Sequence, residues 1–449
     1  MKNIIVVGLG FVGSATGIAI ASCKKKYQVF GLDLNSEEGK RRIDSLNNSL
    51  FPFKTNDQKL KKNLKKVIKE KNFLCTYNKD VLFKADVVLL NINFDIINNK
   101  FDLSPFKSAI RDISSRIKEK TLVIINSTVP PGCCENIVYP IIKKQFVKRR
   151  LKINRILLAH SYERVMPGKN YYDSIVNYWR VYSGINQSSK IKCKNFLQSF
   201  INTRKFPLTI LENTRSSETS KVLENTYRAV NIALIEEWTK FTKLVDINFN
   251  EILTAIRLRP SHQNIMSPGI GVGGYCLTKD PKFADLSVKQ IFKKKKKIDF
   301  KFSNLAISVN KKMPEHSIKI IQKALPGNIK KKKFLIFGVA YKNDVGDTRN
   351  SPIMNIYNFL RQKKAIVEYY DPFVPYWEEV KKKSIEDIQQ IDKFDYFVLS
   401  VNHSVFKNID FLNLVSKRKT FFDFANILSK KKIFNLRKMK HNCYFLGKT

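Results

Sequence analysis

The sequence lacks the residues and segments that mark several classes of protein. Its seven cysteines are an odd number without CxxC spacing, which argues against a disulfide framework or a zinc site and for a reducing compartment. No apolar run reaches the length of about eighteen residues that a membrane span requires, and the N-terminus shows no signal-peptide cleavage pattern. We therefore expect a soluble, cytoplasmic protein with no metal and no membrane insertion.

Acidic residues are also scarce, since 38 Asp and Glu face 82 Lys and Arg and leave a formal charge of +44. Such a charge suits nucleic acid, but no RNA- or DNA-binding motif stands out. The lysines are spread along the whole chain, and the runs 293–297 and 330–333 are expected to be solvated surface. Two interpretations stay open. One is a compositional bias of the source organism, without a nucleic-acid partner; the other is a non-catalytic NAD- or nucleic-acid-binding protein that uses its basic surface. Either way, the positive field attracts diphosphate ligands.

The chain begins with the fingerprint of a dinucleotide-binding fold. An apolar strand, Ile4–Val7, runs into the turn Gly8-Leu9-Gly10-Phe11-Val12-Gly13 and a helix, and a second strand, Gln28–Leu32, ends at Asp33. The glycines admit a pyrophosphate at the helix N-terminus, and the acid accepts hydrogen bonds from the adenosine ribose. Because a carboxylate there repels a 2′-phosphate, the sequence predicts NAD rather than NADP.

The rest of the pattern predicts an α/β chain of two Rossmann-like, doubly wound domains joined by a central domain of long helices. Of its 449 residues, 43% are hydrophobic, enough for two or three folded domains. The first parallel sheet continues with strands at Val87–Asn91, Leu122–Asn126 and Ile156–Ala159. After Pro314, a smaller domain without GxGxxG has strands at Phe334–Val339, Ile366–Tyr370, Tyr396–Ser400 and Thr420–Phe424. The expected domains are 1–212, 213–312 and 313–449.

Two polar clusters follow strands of the first sheet, at the edge where parallel sheets bind ligands. They are 127–132, which contains Thr128, and 160–168, which contains Glu163. Each cluster can also be an ordinary capped loop, with Thr128 only an N-cap.

Between the two sheets, a breaker-free run from Ser216 to Val245 predicts a long helix. Lys221, Asn225 and Arg228 share one of its faces. A lysine and an asparagine beside a nucleophile would suit an oxyanion, and the alternative is a solvated face with a polar stripe.

The segment Pro268–Pro281 holds four glycines in seven positions ahead of Cys276. Glycines let a backbone pass close to a bulky ligand. The segment Tyr275–Lys279 has no helix breaker and predicts a helix whose N-terminus would favour the thiolate, a better nucleophile. Lys279 adds a neighbouring cation, and Asp280 at i+4 would share the face of the cysteine. The alternative is a glycine loop beside a buried structural cysteine.

Together these features resemble the nucleotide-sugar dehydrogenases, the group of UDP-glucose and UDP-N-acetylhexosamine 6-dehydrogenases. The likeness covers nearly the whole chain and rests on six signatures in the family's order: Gly8–Gly13, Ser127–Gly132, Tyr162–Gly168, Lys221–Arg228, Gly271–Asp280 and Tyr341–Arg349. It implies an N-terminal NAD domain, a central dimerising domain and a C-terminal UDP-sugar domain. It also implies a homodimer, a role in polysaccharide biosynthesis, and four-electron oxidation of a sugar C6 alcohol to a carboxylate by two NAD.

The resemblance assigns a role to each matching residue. The catalytic residues would be Cys276, Lys221, Asn225, Asp280, Thr128 and Glu163. The cysteine would form a thiohemiacetal and then a thioester, and the lysine and asparagine would stabilise oxyanions. Thr128 and Asp280 would hold and activate the water that hydrolyses the thioester, with Glu163 assisting. The residues expected at NAD are Gly8, Gly10, Phe11, Val12, Gly13, Asp33, Thr128, Lys279 and Arg349. Those expected at the nucleotide sugar are Glu163, Arg164, Val165, Lys221, Asn225, Arg259, Ser267, Gly269, Gly271, Gly273, Tyr341 and Lys342.

Three positions depart from the family pattern. Asn93-Phe94 stands where Thr-Pro usually contacts the cofactor, and Ala425 stands where an arginine commonly contacts substrate. Arg259 is about one residue out of register with the arginine that a partner subunit lends. Pro167-Gly168 replaces the second acid of the glucose-oxidising branch, which favours an N-acetylated or otherwise modified hexose. UDP rather than GDP follows family habit, and a two-step alcohol dehydrogenase of another acid-forming type stays an alternative.

Overall fold

The computed structural model describes residues 1–295 and 298–447, so Lys296 and Lys297 of the first basic run lie outside the described residues. The strands are β1 (Lys2–Val7), β2 (Tyr27–Leu32), β3 (Phe73–Thr76), β4 (Val87–Leu90), β5 (Asp95–Ile97), β6 (Lys100–Asp102), β7 (Leu122–Ile125), β8 (Leu157–His160), β9 (Val181–Gly184), β10 (Thr209–Ile210), β11 (Lys333–Phe337), β12 (Ile366–Tyr370), β13 (Tyr376–Trp377), β14 (Lys382–Lys383), β15 (Tyr396–Leu399), β16 (Thr420–Asp423) and β17 (Asn442–Phe445).

The α-helices are interspersed among these strands. They are α1 (Phe11–Ala21), α2 (Glu37–Asn47), α3 (Gln58–Lys69), α4 (Ser104–Ser114), α5 (Tyr139–Lys148), α6 (Asp173–Val176), α7 (Gln187–Leu197), α8 (Thr214–Leu244), α9 (Phe249–Arg257), α10 (Phe283–Leu286), α11 (Lys301–Ala324), α12 (Ile353–Gln362), α13 (Phe411–Leu414) and α14 (Lys430–Lys438). The chain divides into two compact units, the first made of 1–224 and 282–299 and the second of 225–281 and 300–449.

The first unit is built on an eight-stranded sheet in the order β10-β9-β8-β7-β4-β1-β2-β3. Neighbouring strands are parallel except β8 and β9, which pair antiparallel. Alternate residues of β1 enter hydrophobic clusters on opposite faces, Ile4 and Val6 in one and Ile5 and Val7 in the other. A strand that is buried on both faces consists of a continuous run of apolar residues. For this reason β1, β2, β4, β7 and β8 could be predicted from the sequence.

The second unit contains a five-stranded parallel sheet in the order β12-β11-β15-β16-β17. Phe334 and Ile336 of β11 face one cluster, and Leu335 and Phe337 face another. The four predicted strands of this smaller doubly wound domain are confirmed.

The predicted long helix is α8, 31 residues from Thr214 to Leu244. Asn213 caps it, because its Oδ1 accepts a hydrogen bond from Ser216 N at 2.9 Å. α8 begins in the first unit and ends in the second. α11 continues through Pro314 to Ala324, after which β11 opens the second sheet.

The described lysines of the two basic runs, 293–295 and 330–333, are exposed as predicted. Across residues 1–295 and 298–447, no helix combines the length and the apolar character needed to cross a membrane. No disulfide joins any of the seven cysteines, all of which lie in the described ranges.

Candidate active site

The glycine-rich turn after β1 lies at the switch point of the first sheet, where β1 is flanked by β2 and β4. A side chain at Gly13 would place its Cβ 1.8 Å from the Gly8 carbonyl oxygen, whereas a Cβ at Gly10 would meet no atom within 4 Å. The turn therefore packs tightly against the protein at Gly13 and has open space beside it at Gly10. Of the other turn residues, Phe11 stacks on Phe53 with 3.9 Å between ring centroids, and Val12 is partly buried.

Asp33 follows β2 and stands beside this turn. One carboxylate oxygen accepts from Leu34 N at 2.9 Å, and the other accepts from Leu9 N at 3.3 Å. Arg42 Nη1 lies 3.2 Å from the second oxygen. An open glycine turn with an acid at the end of the next strand fits a dinucleotide, its diphosphate at the N-terminus of α1 and its ribose hydroxyls at the acid.

The first polar cluster, 127–132, follows β7 as predicted and includes the partly buried Thr128. Glu218, which the sequence analysis missed, anchors this loop, because its carboxylate accepts from Gly132 N at 2.6 Å and Cys134 N at 2.7 Å. Glu218 is fully buried, and burial raises its pKa to about 8. Its position one helical turn before Lys221 is the signal that could have identified it.

The second polar cluster follows β8 and contacts α8. Lys221 Nζ donates to the backbone carbonyl of Glu163 at 2.8 Å, and Arg164 pairs with Glu224 at 2.9 Å. Val165 N donates to the Glu163 carboxylate. Lys221 is only 7% exposed, so it does not belong to a solvated polar stripe. The first unit thus brings Glu163, Arg164, Val165 and Lys221 together at the carboxyl edge of the sheet.

In the second unit, Cys276 lies in an exposed turn. Asp280 N donates to the Cys276 carbonyl at 2.9 Å, which keeps the predicted i+4 spacing. The fully buried Asp280 carboxylate accepts from Asn225 Nδ2 at 2.8 Å and from Lys279 Nζ at 2.9 Å. We call Asn225, Lys279 and Asp280 the Asp280 cluster. The exposed thiol contradicts the alternative of a buried structural cysteine.

The predicted helix from Tyr275 is wrong. Gly274 has a φ of +77°, and helical structure begins only with a 3₁₀ turn at Asp280–Lys282. Pro281 has no N–H and disfavours helical backbone at the residue before it, so it fits only the start of a helix. The thiol therefore has no α-helix N-terminus behind it.

The glycines ahead of Cys276 allow close packing within the protein. A Cβ on Gly274 would lie 2.7 Å from the Tyr341 ring, and one on Gly273 would lie 2.5 Å from Tyr341 Cβ. Gly271 is equally tight against Pro352, at 2.8 Å, whereas Gly269 has no atom within 4 Å of its Cβ position. The sequence predicted that the backbone at these four glycines passes close to a ligand. At three of them it instead passes close to other parts of the protein.

Ser267, at the start of this loop, is fixed by an arginine that the sequence analysis missed. Arg257, at the end of α9, donates through Nη2 to Ser267 Oγ at 2.7 Å and to the carbonyls of Ile265 and Met266 at 3.0 and 3.2 Å. Arg259, two residues on, is exposed.

Tyr341 and Lys342 follow β11, which is flanked by β12 and β15 at the switch point of the second sheet. Tyr341 N donates to the Asp347 carbonyl at 2.9 Å, and Arg349 binds the Asp347 carboxylate through Nε and Nη2 at 2.9 and 2.6 Å. Burial raises the pKa of Tyr341 to about 12, while burial and the charge of Arg228 lower the pKa of Lys342. A basic loop therefore lies at the carboxyl edge of this sheet.

Tyr275, which precedes the cysteine, lies between two of these cations. Lys279 Nζ lies 4.5 Å from its ring centroid, and the Arg349 guanidinium lies 5.6 Å from it. Both distances are within the range of cation–π attraction.

The carboxylate of Asp371, which follows β12, is already hydrogen-bonded within the protein. Asp371 is buried and accepts from the backbone N–H groups of Val339, Ala340 and Phe373 at 2.8, 3.2 and 2.9 Å. His403 Nε2 lies 3.3 Å from the same carboxylate. This agrees with the absence of GxGxxG from this half of the sequence.

Three family models match consecutive parts of the chain. They are the NAD binding domain, the central domain and the UDP binding domain of the UDP-glucose/GDP-mannose dehydrogenase family, at residues 2–200, 215–312 and 335–430. A UDP-N-acetyl-D-mannosamine dehydrogenase of Methanococcus vannielii is 32% identical over 436 residues, which cover 94% of this chain and 92% of that relative. The chain belongs to the UDP-glucose/GDP-mannose dehydrogenase family.

Solved structures of the family share the fold. A UDP-D-ManNAc dehydrogenase from Pyrococcus horikoshii has 26% identity and a TM-score of 0.82 over 99% of both chains. A UDP-N-acetyl-mannosamine dehydrogenase from Staphylococcus aureus has 27% identity and a TM-score of 0.79, over 99% of this chain and 98% of that one. The predicted fold class is confirmed. The predictions of an enzyme that oxidises nucleotide sugars and of NAD as its cofactor are confirmed as well.

Two family departures have structural explanations. Phe94 is fully buried among Phe101, Phe106 and Phe283, with ring centroids 4.8–6.2 Å away, so it packs the core of this dehydrogenase. Ala425 packs against the hydrophobic core beside the second sheet, and its methyl group offers no cation to a substrate.

Proposed function

We propose that this dehydrogenase oxidises the C6 hydroxyl of UDP-N-acetyl-D-mannosamine to a carboxylate. Relatives and structures that bear this activity in their names match more than nine-tenths of the chain. The Pro167-Gly168 pair, in place of a second acid, supports an N-acetylated hexose over glucose. The product, a hexuronate, suits polysaccharide biosynthesis.

The observation that carries the chemistry is the exposed Cys276 one turn before the Asp280 cluster. NAD, when bound, accepts the hydride that C6 loses in each of two oxidations. The Cys276 thiolate adds to the aldehyde carbon and forms a C–S bond, and oxidation of this thiohemiacetal gives a thioester. We assign the stabilisation of the negative oxygen to the ammonium of Lys221 and the amide of Asn225, which lie one turn apart on α8.

Hydrolysis completes the proposed reaction. Water attacks the thioester carbonyl, the C–S bond breaks, and the Cys276 thiolate leaves. We assign the general base to Glu163 and the positioning of the water to Thr128 and Asp280. A base is required because neutral water is a poor nucleophile, and the proton must leave it as the C–O bond forms.

We assign NAD binding to 1–212, with Lys279 and Arg349 as further contacts, and the nucleotide sugar to the loops around Ser267–Gly273 and Tyr341–Lys342. The central region, 213–312, would supply the dimer interface, and 313–449 the UDP-sugar domain. No disulfide joins the seven cysteines, all of which lie in the described ranges, and this supports a cytoplasmic location.

The proposed dimer rests on exposed apolar side chains at two places in the second unit. Phe241 and Leu244 near the end of α8 are 60% and 82% exposed, and Phe302 and Leu305 at the start of α11 are 78% and 63% exposed. Exposed apolar side chains that cluster on a surface mark association sites. In a dimer, the exposed Arg259 would serve the partner's site. Phe241→Glu should shift the mass measured by light scattering towards the monomer, and an unchanged mass would place the interface elsewhere.

NADH production by the purified protein, measured against a panel of UDP- and GDP-sugars, tests the activity. Two NADH per sugar, with UDP-N-acetyl-D-mannosamine preferred, is the expected result. One NADH per sugar would mean that the reaction stops at the aldehyde, and equal turnover of UDP-glucose would contradict the proposed substrate.

A further inference from the structure

His403 is a fully buried histidine shortly after β15, at the carboxyl edge of the second sheet. Its ring packs against two phenylalanines, with centroid distances of 4.8 Å to Phe373 and 5.1 Å to Phe406. Phe373 follows β12, and Phe406 lies in the 3₁₀ turn after β15. The imidazole is therefore held in one place between two segments of the fold.

Both ring nitrogens of His403 have hydrogen-bond partners. Nδ1 accepts from Asp344 N at 2.8 Å, and Nε2 lies 3.3 Å from Asp371 Oδ2. An imidazole nitrogen that accepts from a backbone N–H carries no proton of its own, so the ring proton is on Nε2 and is donated to Asp371. The two sides of the ring therefore have different tasks, one as an acceptor and the other as a donor.

These bonds join the ends of three neighbouring strands, since β11 is flanked by β12 and β15. Asp344 belongs to the loop after β11, Asp371 follows β12, and His403 follows β15. Asp371 Oδ2 also accepts from Val339 N and Ala340 N, at the start of the loop after β11. The aspartate thus fixes the beginning of this loop, and the histidine fixes it again at Asp344.

The backbone conformation of Asp344 is one that needs support from its surroundings. Its φ is +58°, in the left-handed region that residues other than glycine adopt rarely. Its Oδ1, 3.8 Å from His403 Nδ1, accepts from Ser404 N at 2.8 Å and from Ser404 Oγ at 3.0 Å. Both the N–H and the carboxylate of Asp344 are therefore bonded to the segment after β15.

Lys342 lies between the two fixed points of the loop, two residues after Ala340 and two before Asp344. Both Lys342 and His403 are in the part of the chain that matches the UDP binding domain of the family. A lysine side chain is long and flexible, so the position of its backbone decides where its ammonium can reach. A loop that is ordered before the ligand arrives also reduces the cost of binding.

We propose that His403 is a positioning residue for the nucleotide. By accepting the Asp344 N–H at Nδ1, it holds the loop after β11 in the conformation that presents Lys342 to the diphosphate of the substrate. The inference rests on the proposed assignment of Lys342 to the nucleotide sugar. His403 itself does not touch the ligand in this scheme, because it acts through the backbone of the loop.

Three variants separate the two sides of the ring. His403→Asn keeps an acceptor at the position of Nδ1, His403→Gln keeps a donor at the position of Nε2, and His403→Leu keeps neither. The matched control is His441→Leu. His441 is also buried, accepts from Lys419 N through Nδ1 at 3.0 Å and lies beside the ring of Phe421, but it precedes β17 at the opposite edge of the same sheet.

Calorimetric titration of the full-length protein with UDP alone measures the effect. His403→Leu and His403→Gln should raise the UDP Kd by about tenfold, the equivalent of one hydrogen bond, and leave the NAD Kd unchanged. His403→Asn should recover most of the UDP affinity. With nucleotide sugar as substrate, KM should rise with little change in kcat. His441→Leu should lower the urea midpoint of unfolding and leave the UDP Kd unchanged.

Lys342→Met tests the assignment on which the inference rests. If Lys342→Met weakens UDP binding and His403→Leu does not, the proposal is overturned. Equal losses of UDP and NAD affinity in His403→Leu, or an equal loss of UDP affinity in His441→Leu, would also overturn it, because each would indicate a general loss of structure.

Hydrogen exchange measured by mass spectrometry needs neither ligand nor activity. The loop 339–349 should exchange faster in His403→Leu and His403→Gln than in the wild type, His403→Asn or His441→Leu, because the loop has lost a bond that orders it. Equal exchange in the wild type and His403→Leu would overturn the inference, whatever the UDP affinities. Faster exchange, together with a UDP affinity that does not depend on Lys342, would contradict the proposed function alone.

Discussion

Replacing Glu218 by glutamine should change how the stability of this dehydrogenase depends on pH. Burial raises the pKa of this carboxyl group from 4.5 to about 8, which at about 1.4 kcal/mol per pH unit corresponds to at most roughly 5 kcal/mol. Because the folded-state pKa is the higher one, the contribution to stability is full below about pH 4.5 and is lost as the pH rises to about 8.

Glutamine imitates the protonated acid and does not titrate. The free energy of unfolding, from urea titrations between about pH 5 and 8, should therefore fall with pH more steeply for the wild type than for Glu218→Gln. Other ionisable groups are common to both proteins and cancel in the difference. Glu70→Gln, which removes an exposed carboxylate 3.8 Å from Lys66, should show no such trend.

A difference between wild type and Glu218→Gln that is constant with pH would refute this reasoning. It would show that Glu218 is ionised in the fold at no cost, so that its two backbone hydrogen bonds outweigh its burial. The 127–134 loop would then be held by a charged clamp, with each N–H···carboxylate bond contributing about 1.5–3 kcal/mol.

Three further predictions concern the reaction. Cys276→Ala should abolish acid formation and leave NAD binding intact, as measured by calorimetry; unchanged turnover would contradict the covalent scheme. Lys221→Ala should lower kcat by at least about a hundredfold with much less effect on NAD affinity, and equal losses would indicate a structural role. Gly13→Ala should prevent NAD binding, since its Cβ would stand 1.8 Å from a carbonyl oxygen, whereas Gly10→Ala should fold normally because its Cβ meets no atom.

Much of the fold could be predicted from the sequence because strands buried on both faces read as apolar runs. The strands that escaped, β3, β9 and β10 in the first sheet and β17 in the second, are only two to four residues long and lie at or near sheet edges. Short strands at the edge of a sheet show little hydrophobic patterning in the sequence. Pairing with neighbours distant in sequence, rather than local propensity, determines them.

The sequence could indicate those candidate residues that lie close together along the chain, as in the glycine turn, Lys221 with Asn225, and Cys276 with Asp280. The site was not predicted where partners meet only through the fold. Glu218 binds backbone N–H groups 84 and 86 residues away, and Arg180 bonds Asn126 across two strand ends. The helix expected at Tyr275 failed for another reason, because Pro281 and the left-handed Gly274 outweigh the helical propensity of the residues between them.

Asp33 and Asp371 each follow the strand beside the first strand of a sheet, but Asp33 is partly exposed and Asp371 is buried. Asp371 already accepts three backbone N–H groups beside His403, so it has little capacity left for a ribose hydroxyl. Installing a GxGxxG turn after β11 would therefore not create a second dinucleotide site. An engineered cofactor site in this half of the enzyme would need a new hydrogen-bond acceptor. Removing Asp371 to make room would break the hydrogen bonds that hold the backbone next to Tyr341 and Lys342.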